Sequence, residues 1–158
     1  MAEHIPAHDN ADRPIVAAGN PTVPLVYFNR VRLAPGESHD YRLAEHESCV
    51  VPLDGACTVT VDGERFEGIG TRRHLWEGVP NAVYVPRGAE CTVEADAGGE
   101  RVELFVAGGR CEEAFEPFAM RDEDVVILPR LATPRIGPEH LEVLADALVG
   151  IDTEGANA

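Results

Sequence analysis

The chain contains no lysine. All 13 basic residues among its 158 are arginines, set against 28 aspartates and glutamates, for a formal charge of -15. An acid excess of that size repels phosphate backbones and anionic membrane surfaces, which argues against nucleic acid or a membrane as a partner. A salt-adapted or GC-rich source accounts for both the surplus acid and the missing lysine. Long apolar runs are absent too: nothing approaches the roughly 20 residues of a membrane helix. Met1-Ala2-Glu3-His4 lacks the basic and apolar regions of a signal peptide, so a cytoplasmic protein is expected. Cysteine is sparse. Cys49, Cys57, Cys91 and Cys111 form no CxxC pair, and the first three lie in strand-like runs, so reduced, mostly buried thiols are expected.

What is present is globular composition, with 44% hydrophobic and 26% charged residues in a length that suits one domain. Residues 1–22 carry Pro, Asn, Asp and small residues without periodicity and read as a loose arm. From Val23 the pattern changes, and Val23 to Leu33 reads as a strand buried on both sides, ending at the Pro35-Gly36 turn. Alternation returns in Cys49–Leu53, Cys57–Val61, Ala82–Val85, Cys91–Ala95, Val102–Ala107 and Val125–Leu128. Turn signals separate these runs, among them Asp54-Gly55, Asp62-Gly63 and Gly98-Gly99. Many short strands at close spacing predict an all-β barrel over 23–130. Leu141, Leu144, Ala145 and Leu148 recur at helical spacing behind Pro138, which predicts one α-helix followed by a polar tail over 131–158.

Two segments have the frame of a cupin-type metal site. Such a barrel signals itself by a glycine, a His-x-His and a Glu around one strand, then a Pro-x-Gly and a third His later. Alternate strand residues face one way, so the two imidazoles point into the barrel and the other ligands close around a divalent metal. Here the first segment reads Pro35-Gly36-Glu37-Ser38-His39-Asp40-Tyr41, continuing to Glu45-His46-Glu47, and the second Pro86-Arg87-Gly88-Ala89-Glu90-Cys91. Tyr41 stands where a second His belongs and Cys91 where the late His belongs. The prediction is therefore a barrel without a metal cofactor; should a divalent metal bind, its ligands would come from His39, Glu45 and Cys91.

His39, Glu47, Arg72, His74, Tyr84 and Cys91 are the ligand-binding candidates, and no catalytic residue is assigned. The Arg72-Arg73-His74 run suits an anionic sugar acid, while the ordinary reading of such a cluster is surface pairing with Glu67 and Glu77. His39 near His46 and Glu47 suits acid–base work, against the ordinary reading of an exposed loop histidine. Each cysteine is a nucleophile only if a base and solvent reach it, and otherwise a buried small hydrophobe.

Beyond the frame, Leu33 to about Gly108 resembles the N-terminal domain of the 5-deoxy-glucuronate isomerase family of myo-inositol catabolism. The resemblance rests on LAPGES (Leu33–Ser38), HESCVV (His46–Val51), TVTVDGERFEGIGTR (Thr58–Arg72) with Trp76-Glu77 after it, and PNAVYVPRG (Pro80–Gly88). It implies two cupin domains in tandem and an aldose–ketose isomerase acting on a uronic-acid derivative with the help of a metal. The family's His-rich metal motif lies in the second domain, and nothing like it occurs in this sequence. The resemblance thus implies the scaffold half, pairing with itself as a homodimer or with a partner cupin domain. The competing reading is a non-catalytic small-molecule-binding or assembly module.

Overall fold

Alternation with period two separates an inner from an outer face in this chain. The computed structural model describes residues 12–74, 76–121 and 124. A five-stranded sheet is built from β1 (Val26–Leu33), β3 (His46–Asp54), β6 (Ala82–Val85), β8 (Val102–Arg110) and β9 (Phe118–Met120) in the order β1-β8-β3-β6-β9. A four-stranded sheet takes β2 (Ser38–Arg42), β4 (Cys57–Val61), β5 (Glu64–Ile69) and β7 (Glu90–Ala95) in the order β2-β7-β4-β5. Every ladder is antiparallel.

The core lies between the sheets. Val31 and Leu33 of β1, Val50 of β3 and Val102, Leu104 and Val106 of β8 meet Cys57, Val59 and Val61 of β4 and Cys91, Val93 and Ala95 of β7. The intervening residues of β1 and β7, such as Arg32 and Glu94, are exposed. Burial of these branched side chains is the main favourable term, since each contributes about 1.5–3 kcal/mol when fully buried. The Asp62-Gly63 turn joins β4 to β5 with both residues at positive φ, 47° and 90°, the backbone twist that a two-residue hairpin demands.

Several expectations change. The closed barrel becomes two facing sheets: among the described residues, hydrogen-bonded ladders run within each sheet and none joins them. Closure would require each edge strand to pair with the other sheet. The outer edge of β1 is instead met by Val16, which exchanges two backbone bonds of 3.0 Å with Phe28. Part of the expected loose arm is therefore docked. Asp12 reinforces it by accepting the Asn29 side-chain amide on its carbonyl and the Arg32 N–H on its carboxylate, each at 2.9 Å.

The first strand starts at Val26, because Asn20 caps the Thr22 and Val23 amides and Val26 N–H closes a turn onto the Val23 carbonyl. It is buried on one face, with Leu25 61% exposed just before it. Strands β5 and β9 were not legible in the sequence, since one is polar and one spans only three residues, and β2 was read only as part of the metal-site frame. The helix expected after Pro138, the Val125–Leu128 strand and residues 1–11 of the arm lie outside the described residues.

Candidate functional site

Strand β2 carries the first half of the predicted frame and β7 the second, and they are neighbours. Antiparallel register sets Tyr41 opposite Cys91 and His39 opposite Val93. Alternation turns His39 and Tyr41 inward while Ser38, Asp40 and Arg42 face out. Tyr41 shares a hydrogen bond of 3.0 Å with Ser48 of β3, across the space between the sheets, and stands directly opposite Cys91 in the ladder. A short polar line, Ser48–Tyr41–Cys91, thus crosses an otherwise apolar interior. It occupies the positions where the frame would place metal ligands.

The chemistry of that line is uncharged. Burial pushes the Tyr41 phenol well above its ordinary value, and burial pushes the Cys91 thiol up to about 11. Burial pushes the His39 imidazole down, against the opposing pull of Asp12 and Asp40. Glu45 stays outside in the β2–β3 turn, exposed and paired with Arg110 at 3.2 Å. The conditional metal set of His39, Glu45 and Cys91 is therefore not brought together. Among the described residues no three His, Cys, Asp or Glu side chains converge to hold an ion.

The six ligand-binding candidates fall in three places. His39 and Cys91 face the interior from β2 and β7. Glu47 and Tyr84 meet on the outer face of the five-stranded sheet, where the Tyr84 hydroxyl donates to the Glu47 carboxylate at 2.8 Å and the ring stacks on Phe118 at 5.1 Å. Burial and that carboxylate push the Tyr84 phenol up to about 12. Arg72 and His74 belong to the loop between β5 and β6. Arg72 is buried and donates to the Pro52 carbonyl at 2.8 Å, so it ties the loop to β3.

His74 is exposed, and its carbonyl accepts the Glu77 N–H. Glu77 in turn accepts the Arg73 N–H at 3.2 Å, while Glu67 pairs with Arg65 at 2.8 Å. Among the described residues, the run meets Glu77 through the Arg73 N–H and the His74 carbonyl, while Glu67 is paired with Arg65. His39, His46 and Glu47 do not form one acid–base group, because consecutive residues of β3 face opposite ways: His46 points in and Glu47 out.

His46 and Ser48 are the inward residues that the sequence reading missed. The available signal was their separation by two on a strand with Val50, which puts all three on one face. That signal was masked because His46 stands between two glutamates and reads as part of a polar turn.

The raised thiols and phenols make stability depend on alkaline pH. The folded chain holds protons on Cys57, up at about 12, and on Cys91, up at about 11, while the unfolded chain releases them near the ordinary 9.0. Their contribution is complete below pH 9 and declines as pH rises toward 11, because the unfolded state then binds fewer protons. Thermal melting should therefore give a lower Tm at pH 10.5 than at pH 8, and Cys91→Ala should flatten that slope. Equal slopes in the two proteins would refute the assignment.

Two facing antiparallel sheets with an inward frame on β2 and β7 define an all-β protein of the cupin fold. A cupin protein from Bacteroides fragilis shares that fold, with a TM-score of 0.50 and 14% identity over 81% of this chain and 100% of that chain. An IolB-like protein from Salmonella typhimurium superposes with a TM-score of 0.60 and 26% identity over 65% of this chain and 38% of that chain.

The chain belongs to the KduI/IolB family, whose model matches residues 3–130. It is 39% identical over 71 residues to the 5-deoxy-glucuronate isomerase of Bacillus licheniformis, covering 44% of this chain and 26% of that protein. It is 34% identical over 93 residues to the enzyme of the same name from Halalkalibacterium halodurans, covering 58% and 34%. The match thus spans about a third or less of the curated relatives' length. Among the described residues, no helix is long and apolar enough to cross a membrane.

Proposed function

We propose that this chain is a 5-deoxy-glucuronate isomerase-like protein of inositol catabolism. In this reading it supplies the scaffold half of a sugar-acid aldose–ketose isomerase and depends on another barrel for the divalent metal. The observation that carries the proposal is the content of the frame. Where metal ligands would stand, Tyr41 is bonded to Ser48 and beside Cys91, both groups retain their protons, and Glu45 is engaged with Arg110 outside. In this reading the sugar acid would be met at a composite site with the second barrel.

The outer face of the five-stranded sheet supports pairing. Phe28, Ala107, Cys49, Tyr84 and Phe118 stand in one row across all five strands. Phe28 also packs on Phe105 of the next row at 5.0 Å, and Phe118 is 48% exposed. An apolar row of this kind suits a second cupin, either another copy in a homodimer or a separately encoded His-rich barrel.

The purified chain should carry less than one divalent metal per molecule and should not isomerise 5-deoxy-glucuronate alone. Turnover should appear when a His-rich cupin of the same family is added with metal. Metal-dependent turnover by the chain alone would overturn the scaffold reading. No turnover with any such partner would favour the alternative, a non-catalytic small-molecule-binding or assembly module.

A further inference from the structure

His46 is 3% exposed, and among the described residues neither ring nitrogen has a hydrogen-bond partner. An imidazole always carries at least one N–H, and a buried polar group left without a partner is destabilising. Such a residue persists in a fold when something satisfies it. The carbonyls of the three residues before His46 each already accept one hydrogen bond. The Leu43 carbonyl takes the Gly88 N–H at 2.9 Å, the Ala44 carbonyl takes Arg87 Nε at 3.3 Å, and the Glu45 carbonyl takes the Cys111 N–H at 3.2 Å.

The ring shares its face of β3 with Ser48, two residues on, at a strand spacing of roughly 6.5–7 Å. One molecule bonded to both groups at about 2.8 Å spans at most about 5.6 Å, so the bridge requires the imidazole to lean along the strand toward the Ser48 hydroxyl. Ser48 and Tyr41 share a single hydrogen bond between two hydroxyls, and each hydroxyl has one proton and two lone pairs, so the pair retains capacity both to donate and to accept. A partner for His46 and this pair must therefore itself donate and accept, and must be small, because the inner face of β3 around Ser48 and Val50 is buried.

We propose that this end of the interior is a binding site for one small neutral hydroxyl group, that of an ordered water, bridging His46 to the Ser48–Tyr41 pair. The bridge extends the polar line to His46–water–Ser48–Tyr41–Cys91. It puts a hydrated network beside the positions where a metal-bearing frame would concentrate its ligands. Only a molecule that both donates and accepts suits the site.

Nitrogen-15 labelled protein tests this directly. A water-selective NOE experiment on the histidine rings should show a cross peak from the His46 N–H to a long-lived water. His46→Gln, which keeps a donor and an acceptor, should melt higher than His46→Leu by roughly 4 °C, as expected when one buried hydrogen-bonded group is lost. Adding Zn2+ or Mn2+ should leave the His46 ring resonances in place. The proposal is overturned if the ring shows no contact with water, if His46→Leu is as stable as His46→Gln, or if the added metal shifts the His46 signals.

Discussion

Gly70→Ala should destabilise the protein by about 3 kcal/mol or more, which lowers Tm by over about 10 °C in a domain of this size. Gly70 has a φ of 98°, and a Cβ there would stand 2.4 Å from the Gly55 carbonyl oxygen and 2.9 Å from Pro52 Cβ. Both obstacles belong to rigid parts of the fold. Pro52 is in β3 beside the irregularity between Pro52 and Asp54, and a Cβ on Gly55 would in turn lie 2.5 Å from the Arg101 carbonyl. The end of β5 is thus pressed onto the β3–β4 corner with no room for a methyl group.

Gly63→Ala provides the control. Its φ of 90° is also left-handed, but nothing lies within 4 Å of the added carbon. It should cost only the torsional strain, about 1 kcal/mol. Thermal melts of the two variants separate steric exclusion from strain. Equal losses would show that the corner yields and that the contact is not what requires glycine. Because Gly55 and Gly70 share one contact, their double alanine variant should lose less than the sum of the single losses.

Leu104→Ala is the second large effect, with an expected loss of about 3–5 kcal/mol. Leu104 is fully buried at the centre of β8, flanked in register by Val31 of β1 and Pro52 of β3, and it faces the valines of the opposite sheet. Strands on both sides fix its backbone, so the surrounding side chains cannot collapse into the space that truncation leaves. A loss of this size is a large fraction of the 5–15 kcal/mol typical of a domain. Denaturant unfolding should show a lower midpoint with an unchanged slope. A loss below about 1 kcal/mol would mean that the sheets slide to refill the gap, contrary to the close packing expected between them.

The candidate site was legible in part. The frame could be read from Gly36, His39, Tyr41 and Cys91, because two residues apart on a strand means one face, and the structure places His39, Tyr41 and Cys91 inside. The functions attached to Arg72 and Glu47 could not be judged from the sequence. Whether an arginine offers its guanidinium to a ligand or spends it on a carbonyl depends on what folds over it, and here the Pro52 carbonyl lies 2.8 Å away. Glu47 was read together with His39 and His46, yet one step along β3 reverses the face and sends it to Tyr84 on the outside.

By itself the sequence determined the all-β class, the positions of the Asp-Gly turns, most central strands and the family to which the chain belongs. These follow from local causes: hydrophobic period, turn chemistry and the order of recognisable words. Only the tertiary structure decided that the strands divide into two sheets with no ladder between them among the described residues, that Val16 meets the edge of β1, and that His46 is buried on the same face of β3 as Ser48. Those outcomes depend on pairing between residues far apart in the chain, and an alternating pattern specifies which face is buried without naming the strand that covers it.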